Sequence, residues 1–386
     1  MIAMIQVFGL QGVAGGPKLL RGLLRADHPP VLSVYTGFEP APAPAAIREM
    51  QLPLRPHMGR IDHTRLHSML GVFEGVFRPG FERKLRCVLQ ENGVKAIHLI
   101  PHGYNVVPVF HVARDLKIPL FLSIHDDLEY AALGHPLRRK MLDVMAQAWR
   151  SAAGAYVISD AIGAEYNRRY GARRYEIVTD GLESIASGPC AARERSLHVY
   201  FMGLFHPGYK TNFRAMLDAL KILRDRHPDW EISVTSRSAY IVCPLQPDDV
   251  PVHVVQFTPD PRDAEKDMAQ ADLLYLPMPF EKHLKNFGKF SMSTKMVSYL
   301  GSGLPIFYHG PAEAAAADLL TRHKAAAVCT ELAPKKIAEE LLRGVREREM
   351  IVNGALALAK DQFMLQDQQR RFWIPLAASL QSQAAD

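Results

Sequence analysis

Apolar runs of strand length alternate with stretches of helical period along almost the whole chain, and this alternation limits the possible folds more than any other feature. Strand, helix and strand in succession form a βα unit, and successive units build a parallel sheet with helices on its faces. IQVF, VLSVY, AIHLI, LFLSI, AYVIS and EIVT read as strands of the first half, and LHVYFM, EISVTS, VHVVQF and DLLYLP as strands of the second, where STKMVSYLGSGLPIFYHGP adds a helix and a further strand. A chain of 386 residues exceeds what one core usually serves, so the expected fold is α/β with two doubly wound parallel-sheet domains in tandem.

Periodicity lapses over SIASGPCAARERS, Ser184 to Ser196, which marks a linker. The predicted boundaries are 1–185 for the first domain, 186–196 for the linker and 197–362 for the second domain, with residues 363–386 forming a helix that packs back across the domains. The proline-laden segment Glu39 to Pro56 reads as a long loop. In DHTRLHSMLGVFEGVF, a helix capped by Asp62 places Leu66, Met69, Leu70, Phe73, Val76 and Phe77 on one face, which reads as core.

Composition narrows the class. A hydrophobic share of 48% and a charged share of 22% are those of an ordinary globular protein. The opening MIAMIQVFGL has no basic residue before it and soon meets Gly12, so it reads as a buried strand and not as a signal peptide. No apolar run approaches the roughly 18 residues of a spanning helix, and the expected location is the cytoplasm. Cys87, Cys190, Cys243 and Cys329 are scattered without zinc-ligand spacing, so they read as reduced thiols and no metal is expected. The net charge of +6 is uneven: 22 basic residues against 17 acidic ones precede and include Glu183, and 24 against 23 follow. Arg83, Lys84 and Arg86, then Arg138, Arg139 and Lys140, then Arg168, Arg169, Arg173 and Arg174 form basic groups on apparent helices. They are either solvated faces or a surface for an anionic membrane, with the protein peripheral at its inner face. No nucleic-acid partner is expected.

Ligands of doubly wound sheets collect at the carboxyl ends of strands. After the first strand, Gly15 and Gly16 precede a helix, as a tight turn or as a loop whose N–H groups approach a phosphate; the spacing is not that of a dinucleotide site. His125 follows LFLSI and is followed by Asp126 and Asp127; it either meets a substrate hydroxyl or bonds a neighbouring carboxylate. In the second half Gly203 ends a strand and Lys210 stands just before a helix, where an ammonium stabilises a departing anion. Glu281 lies beside Lys282, Lys285 and Lys289, and Ser293 and Thr294 open a helix as caps or as phosphate donors. Lys295 is less easily explained, because a cation near a helix N-terminus is disfavoured unless an anion is also present.

Together, GLFHPGYKTN, ADLLYLP and STKMVSYLGSGLPIF resemble the donor domain of GT-B glycosyltransferases, most like glycosyltransferase family 4. The GG loop, SIHDD, ISDAIGAEYNRRYG and VTDGLE resemble that family's first half in kind and order. The resemblance runs from the first strand to about Leu320. It implies two Rossmann-like domains facing a cleft, and a retaining hexosyltransferase that moves a sugar from a UDP- or GDP-type nucleotide sugar to a hydroxyl of a glycan or lipid-linked acceptor. Such enzymes serve surface polysaccharide or glycolipid synthesis and need neither a cofactor nor a metal. It further implies that Lys210 holds the diphosphate with Ser293, Thr294 and Lys295, that Gly15, Gly16 and Gly203 border it, that His125 faces the sugar and that Glu281 contacts it. Two departures stand out. Leu204 replaces the family's usual arginine, and Ser298 replaces the glutamate that grips the ribose. They give weight to an alternative, a non-catalytic GT-B-like binding or partner subunit; a sugar-nucleotide epimerase of the same architecture is a third reading.

Overall fold

The computed structural model describes residues 1–12, 14–38, 47–59, 67–191, 193–238, 243–256, 258 and 261–385. They form two compact units, one from Met1–Asp180 together with the chain from Leu365 onward, the other from Gly181–Met364.

The first unit holds strands β1 (Ile2–Gln6), β2 (Val31–Tyr35), β3 (Arg48–Gln51), β4 (Ala96–Leu99), β5 (Leu120–Ile124), β6 (Gly154–Val157) and β7 (Glu176–Ile177). Their order is β3-β2-β1-β4-β5-β6-β7, and every pair is parallel. The helices are α1 (Gly15–Leu23), α2 (His67–Glu91), α3 (Val106–Asp115), α4 (Leu128–Ala131), α5 (Arg138–Ser151) and α6 (Asp160–Tyr170). β1, β2, β4 and β5 are buried at every position, so both faces of the sheet are covered there.

Part of the segment from Glu39 to Pro56, expected as loop, is β3. REMQ lacks the apolar alternation of a core strand because it is the sheet edge, with Arg48 and Gln51 exposed. Its Glu49 carboxylate accepts from Ser33 Oγ at 2.8 Å and from the backbone N–H of Leu10 at 3.0 Å, and so holds the loop after β1. Residues 39–46 of that segment, and Asp62 and Leu66 of the predicted helix cap and stripe, lie outside the described residues.

The stripe on α2 is corrected more sharply. Leu70 is buried, but Phe73, Val76 and Phe77 are exposed. The helix runs on to Glu91 and buries Phe81, Leu85 and Leu89 on its other side. Periodicity therefore identified an apolar face but not the one that is buried.

The second unit holds β8 (Ser196–Met202), α7 (Lys210–Arg226), β9 (Glu231–Arg237), β10 (Val252–Val255), α8 (Pro261–Met268), β11 (Leu273–Pro277), α9 (Lys285–Phe290), α10 (Thr294–Leu300), β12 (Ile306–His309), α11 (Ala315–Arg322), β13 (Ala327–Cys329), α12 (Pro334–Arg346) and α13 (Arg348–Gln362). The parallel order is β10-β9-β8-β11-β12-β13. Leu197, Val199 and Phe201 of β8 pack in one core with Phe213 of α7 and Leu341 of α12, while Tyr200 packs on the opposite face with Tyr299 of α10 and Leu358 of α13. The segment before β8 lies along this unit. Ala186 N–H donates to Gly301 O at 2.8 Å and Cys190 N–H to Gly303 O at 2.9 Å. Gly303 has φ +76°, and a Cβ there would stand 2.7 Å from Gly188 O, so the turn into β12 requires glycine.

The last helix, α14 (Leu365–Ala385), belongs to the first unit. Tyr156 Oη donates to Phe372 O at 2.8 Å, Trp373 Nε1 donates to Leu23 O at 2.8 Å, and Phe372 and Leu376 are fully buried with Ile2 and Met4. Among the described residues, no helix is long and apolar enough to cross a membrane.

Candidate active site

In each sheet the strand order reverses beside the first strand, between β1 and β4 in one unit and between β8 and β11 in the other. Loops diverge there and leave a crevice at the carboxyl edge.

In the first unit this edge carries the loop after β1, His102 after β4 and His125 after β5. Arg21 Nη1 donates to Leu10 O at 2.5 Å and Gly12 O at 2.8 Å, which fixes the loop into α1. Gly15 opens α1, and at Gly16 a Cβ would stand 2.6 Å from the Phe8 ring, so that glycine lets the helix start close against Phe8. The Phe8 ring lies 5.7 Å from the His102 ring, which in turn lies 5.7 Å from the His125 ring at 75°. His102 Nε2 meets Asp126 Oδ2 at 3.2 Å.

Burial first, and then the neighbouring His102, push His125 down to about 3, against the pull of Asp126. The imidazole is therefore neutral at physiological pH. Burial alone would raise Asp126, but the hydrogen bond from His102 and the charges of both imidazoles outweigh it and lower the carboxyl. Asp127 has a different task. It caps α4 through Glu129 N–H at 3.1 Å and binds Arg169 at 2.7 and 3.2 Å.

Sequence reasoning singled out His125 and missed His102, although PHGYN stands directly after a predicted strand. Replacing His102 by glutamine removes one of the groups that hold His125 down. The expected result is that His125 titrates at higher pH in the variant, read from its imidazole resonances by NMR; an unchanged midpoint would show that the two rings do not communicate.

In the second unit β8 ends at Gly203, where φ is +100° and a Cβ would stand 3.3 Å from Lys295 Cε. The bare backbone thus lets the Lys295 stem pass close by. Its ammonium lies 4.6 Å from the Phe201 ring centroid and 4.8 Å from that of Tyr209. These ring faces stabilise a cation, but they also exclude water. No ion pair to Lys295 occurs among the described residues, and burial pulls the amine down to about 7.

His206 sits on the same loop. Its Nδ1 accepts from Gly208 N–H at 3.0 Å, which leaves Nε2 to carry the proton, and its ring stacks on Phe287 at 5.5 Å. Burial lowers it, Glu281 pulls it up and Lys295 pushes it further down. Glu281 follows β11; its Oε1 accepts from Thr211 Oγ1 at 3.0 Å, while its Oε2 is buried with no hydrogen-bond partner. An unpaired carboxylate oxygen is costly to bury and calls for a donor.

Ser293 occupies the N-cap position of α10, yet its hydroxyl makes no capping bond, and Thr294 begins the helix. Ser298 Oγ donates to Thr294 O at 3.2 Å, one turn back. Lys210, the first residue of α7, is exposed and lines a hollow with Thr211, Arg214, Leu332 and Pro334. The structure thus gathers Gly203, His206, Glu281 and Lys295 around one crevice and places Lys210 on the flank of α7, with Thr211 bordering both. Sequence reasoning missed His206 and Thr211; the first follows a predicted strand by four residues and was a legible signal. Among the described residues, no group of three histidine, cysteine or acidic side chains could hold a metal ion.

No family model and no curated protein matches the chain. Solved structures do, along nearly their full length. HepE from Anabaena, in complex with UDP and glucose, is 13% identical with a TM-score of 0.65, covering 99% of both chains. An E. coli structure described as trehalose-6-phosphate bound with UDP-2-fluoro glucose is 13% identical with a TM-score of 0.66, again covering 99% of both. A UDP-forming α,α-trehalose-phosphate synthase from Burkholderia vietnamiensis is 14% identical with a TM-score of 0.66, covering 100% of this chain and 99% of that one. The chain has the GT-B fold. Identities this low establish the architecture alone, and with trehalose-phosphate synthases among the structures matched, the likeness is not particular to family 4.

Proposed function

We propose that the chain is a retaining glycosyltransferase that moves a hexosyl group from a UDP- or GDP-type nucleotide sugar to a hydroxyl of a glycan or lipid-linked acceptor at the cytoplasmic face of a membrane. The observation that carries this reading is Lys295: a dehydrated ammonium without a carboxylate partner among the described residues, at the reversal point of a doubly wound sheet, beside a glycine that exposes backbone. A diphosphate supplies the missing countercharge. The UDP and UDP-sugar in two of the similar structures favour a uridine donor.

In this reading Lys295, with the hydroxyls and N–H groups of Ser293 and Thr294, holds the diphosphate against Gly203, while Lys210, in its hollow on the flank of α7, has no part in that contact. The unpaired Glu281 oxygen accepts from a sugar hydroxyl, and the first unit's own candidates for a substrate contact are neutral His125, Gly15 and Gly16. As the anomeric C–O bond breaks, its electron pair goes to the β-phosphate oxygen, where Lys295 stabilises it. The acceptor hydroxyl attacks the same face of the ring and gives its proton to that departing oxygen, so configuration is retained.

Ser298, whose hydroxyl is turned back to its own helix, and exposed Leu204 favour a weaker hold on the nucleotide, as in a non-catalytic subunit. One experiment separates the readings. The purified protein is incubated with a panel of UDP- and GDP-sugars and tested for nucleotide-induced thermal shift, sugar transfer and donor hydrolysis. Transfer or slow hydrolysis is expected with a UDP-sugar. A shift without turnover selects the binding subunit, and neither response overturns both.

A further inference from the structure

The outward side of α2 is apolar where solvent should favour polar groups. Val72 is 49% exposed, Phe73 39%, Val76 64% and Phe77 40%, and Leu133, after α4, is 61% exposed. At about 100° per residue, positions 72, 73, 76, 77, 83 and 84 fall within an arc of roughly 140°. The same face thus changes along the helix from valine and phenylalanine to Arg83 and Lys84, both exposed. Arg139 and Lys140, in the first turn of α5, are exposed as well.

None of these four cations makes an ion pair among the described residues. The acids of α2 near the patch are used elsewhere: Glu74 meets His135 at 3.1 Å, and Glu82 meets Arg78 at 2.9 Å and His111 at 3.0 Å. Glu91 lies beyond them at the end of the helix. The attachment of α2 is close and fixed, since a Cβ at Gly71 would stand 2.3 Å from His135 Nε2 and one at Gly75 2.9 Å from Leu137 Cδ1. The exposed face is therefore held outward by packing on its other side.

We infer that this face of α2 docks the protein on an anionic lipid bilayer. Phenylalanine and valine enter the acyl boundary, and Arg83 and Lys84 meet lipid phosphates. Charge complementarity decides the occupant. A protein partner or a second copy of this chain would have to cover Arg83 and Lys84 with acids, and the acids of α2 beside the patch, Glu74 and Glu82, are already engaged. The inference goes beyond the proposed sugar transfer and stands without it.

The test is flotation of the full-length chain with phosphatidylcholine vesicles prepared with and without phosphatidylglycerol. Three proteins are compared: the unchanged chain, Phe73→Ser with Phe77→Ser, and Arg83→Glu with Lys84→Glu. The unchanged chain should float with the anionic vesicles and not with phosphatidylcholine alone, less so at raised salt. Each double variant should bind roughly tenfold more weakly or worse. Nucleotide-induced thermal shift should be the same in all three, which separates this result from failure of the donor site. No flotation with anionic vesicles overturns the inference, as does undiminished flotation of both variants. Loss of a dimer in the serine variant, by light scattering, with no vesicle binding by the unchanged chain, overturns it in favour of a second copy.

Discussion

Replacing Lys295 by methionine is expected to weaken UDP binding by about two orders of magnitude while raising the melting temperature of the unliganded protein. Both effects have one cause. The ammonium lies against two aromatic faces with no carboxylate of the described residues in an ion pair, and burial lowers it from 10.5 to about 7. The unfolded chain keeps this proton up to the ordinary lysine range, whereas the folded protein gives it up above about 7. Between those values the unfolded state binds more protons, so stability rises with pH across that interval. Below it both states hold the proton and the whole cost of dehydrating the ammonium is present, about 5 kcal/mol at about 1.4 kcal/mol per tenfold change in proton affinity. Methionine fills the same space without that cost, so the variant should be more stable below neutrality by several degrees and should lose the pH slope.

A bound diphosphate reverses the balance. Its charge favours the protonated amine, so the complex holds the proton to higher pH than the free protein does. Binding at mildly alkaline pH should therefore take up close to one proton, measured by calorimetry in buffers of different ionisation heat, and the methionine variant should take up none. Equal UDP affinity in both proteins, or no difference in proton uptake, would make Lys295 a core residue whose charge has no ligand.

What was legible in the sequence follows from the range of each interaction. The period-two and helical patterns are local, and they located both sheets. β3 escaped because an edge strand is allowed the polar composition of REMQ, and its pairing with β2 depends on residues far away in sequence. α2 shows the same limit from the other side, since a stripe at positions 73, 76 and 77 has one period whether it faces a sheet or solvent. Lys295 stood out because its place near a helix start is electrostatically unfavourable, a local fact; its seat on Phe201 and Tyr209 required β8, α7 and α10 to be assembled first. His102 and His206 follow strands at the reversal points, but the reversal points themselves are set by strand order, which periodicity does not encode.

Glu281→Gln separates the sugar contact from the diphosphate contact. In the unliganded protein one carboxylate oxygen accepts from Thr211 and the other is buried without a partner. Glutamine keeps the size and one acceptor, removes the charge and replaces an oxygen with a donor. If Glu281 receives a sugar hydroxyl, sugar transfer or donor hydrolysis should fall by roughly a hundredfold, the loss of a charged hydrogen bond worth about 2–3 kcal/mol. UDP itself should bind as well as before or slightly better, because a negative charge near the diphosphate has been removed. The opposite pattern, with UDP weakened and turnover of the UDP-sugar intact, would place Glu281 on the nucleotide and leave the buried oxygen as a partner of some other group. Thr211→Val is the control for geometry. It removes the hydroxyl that orients the carboxylate, and a tenfold smaller loss than in Glu281→Gln is expected if the carboxylate's charge, more than its orientation, serves the sugar.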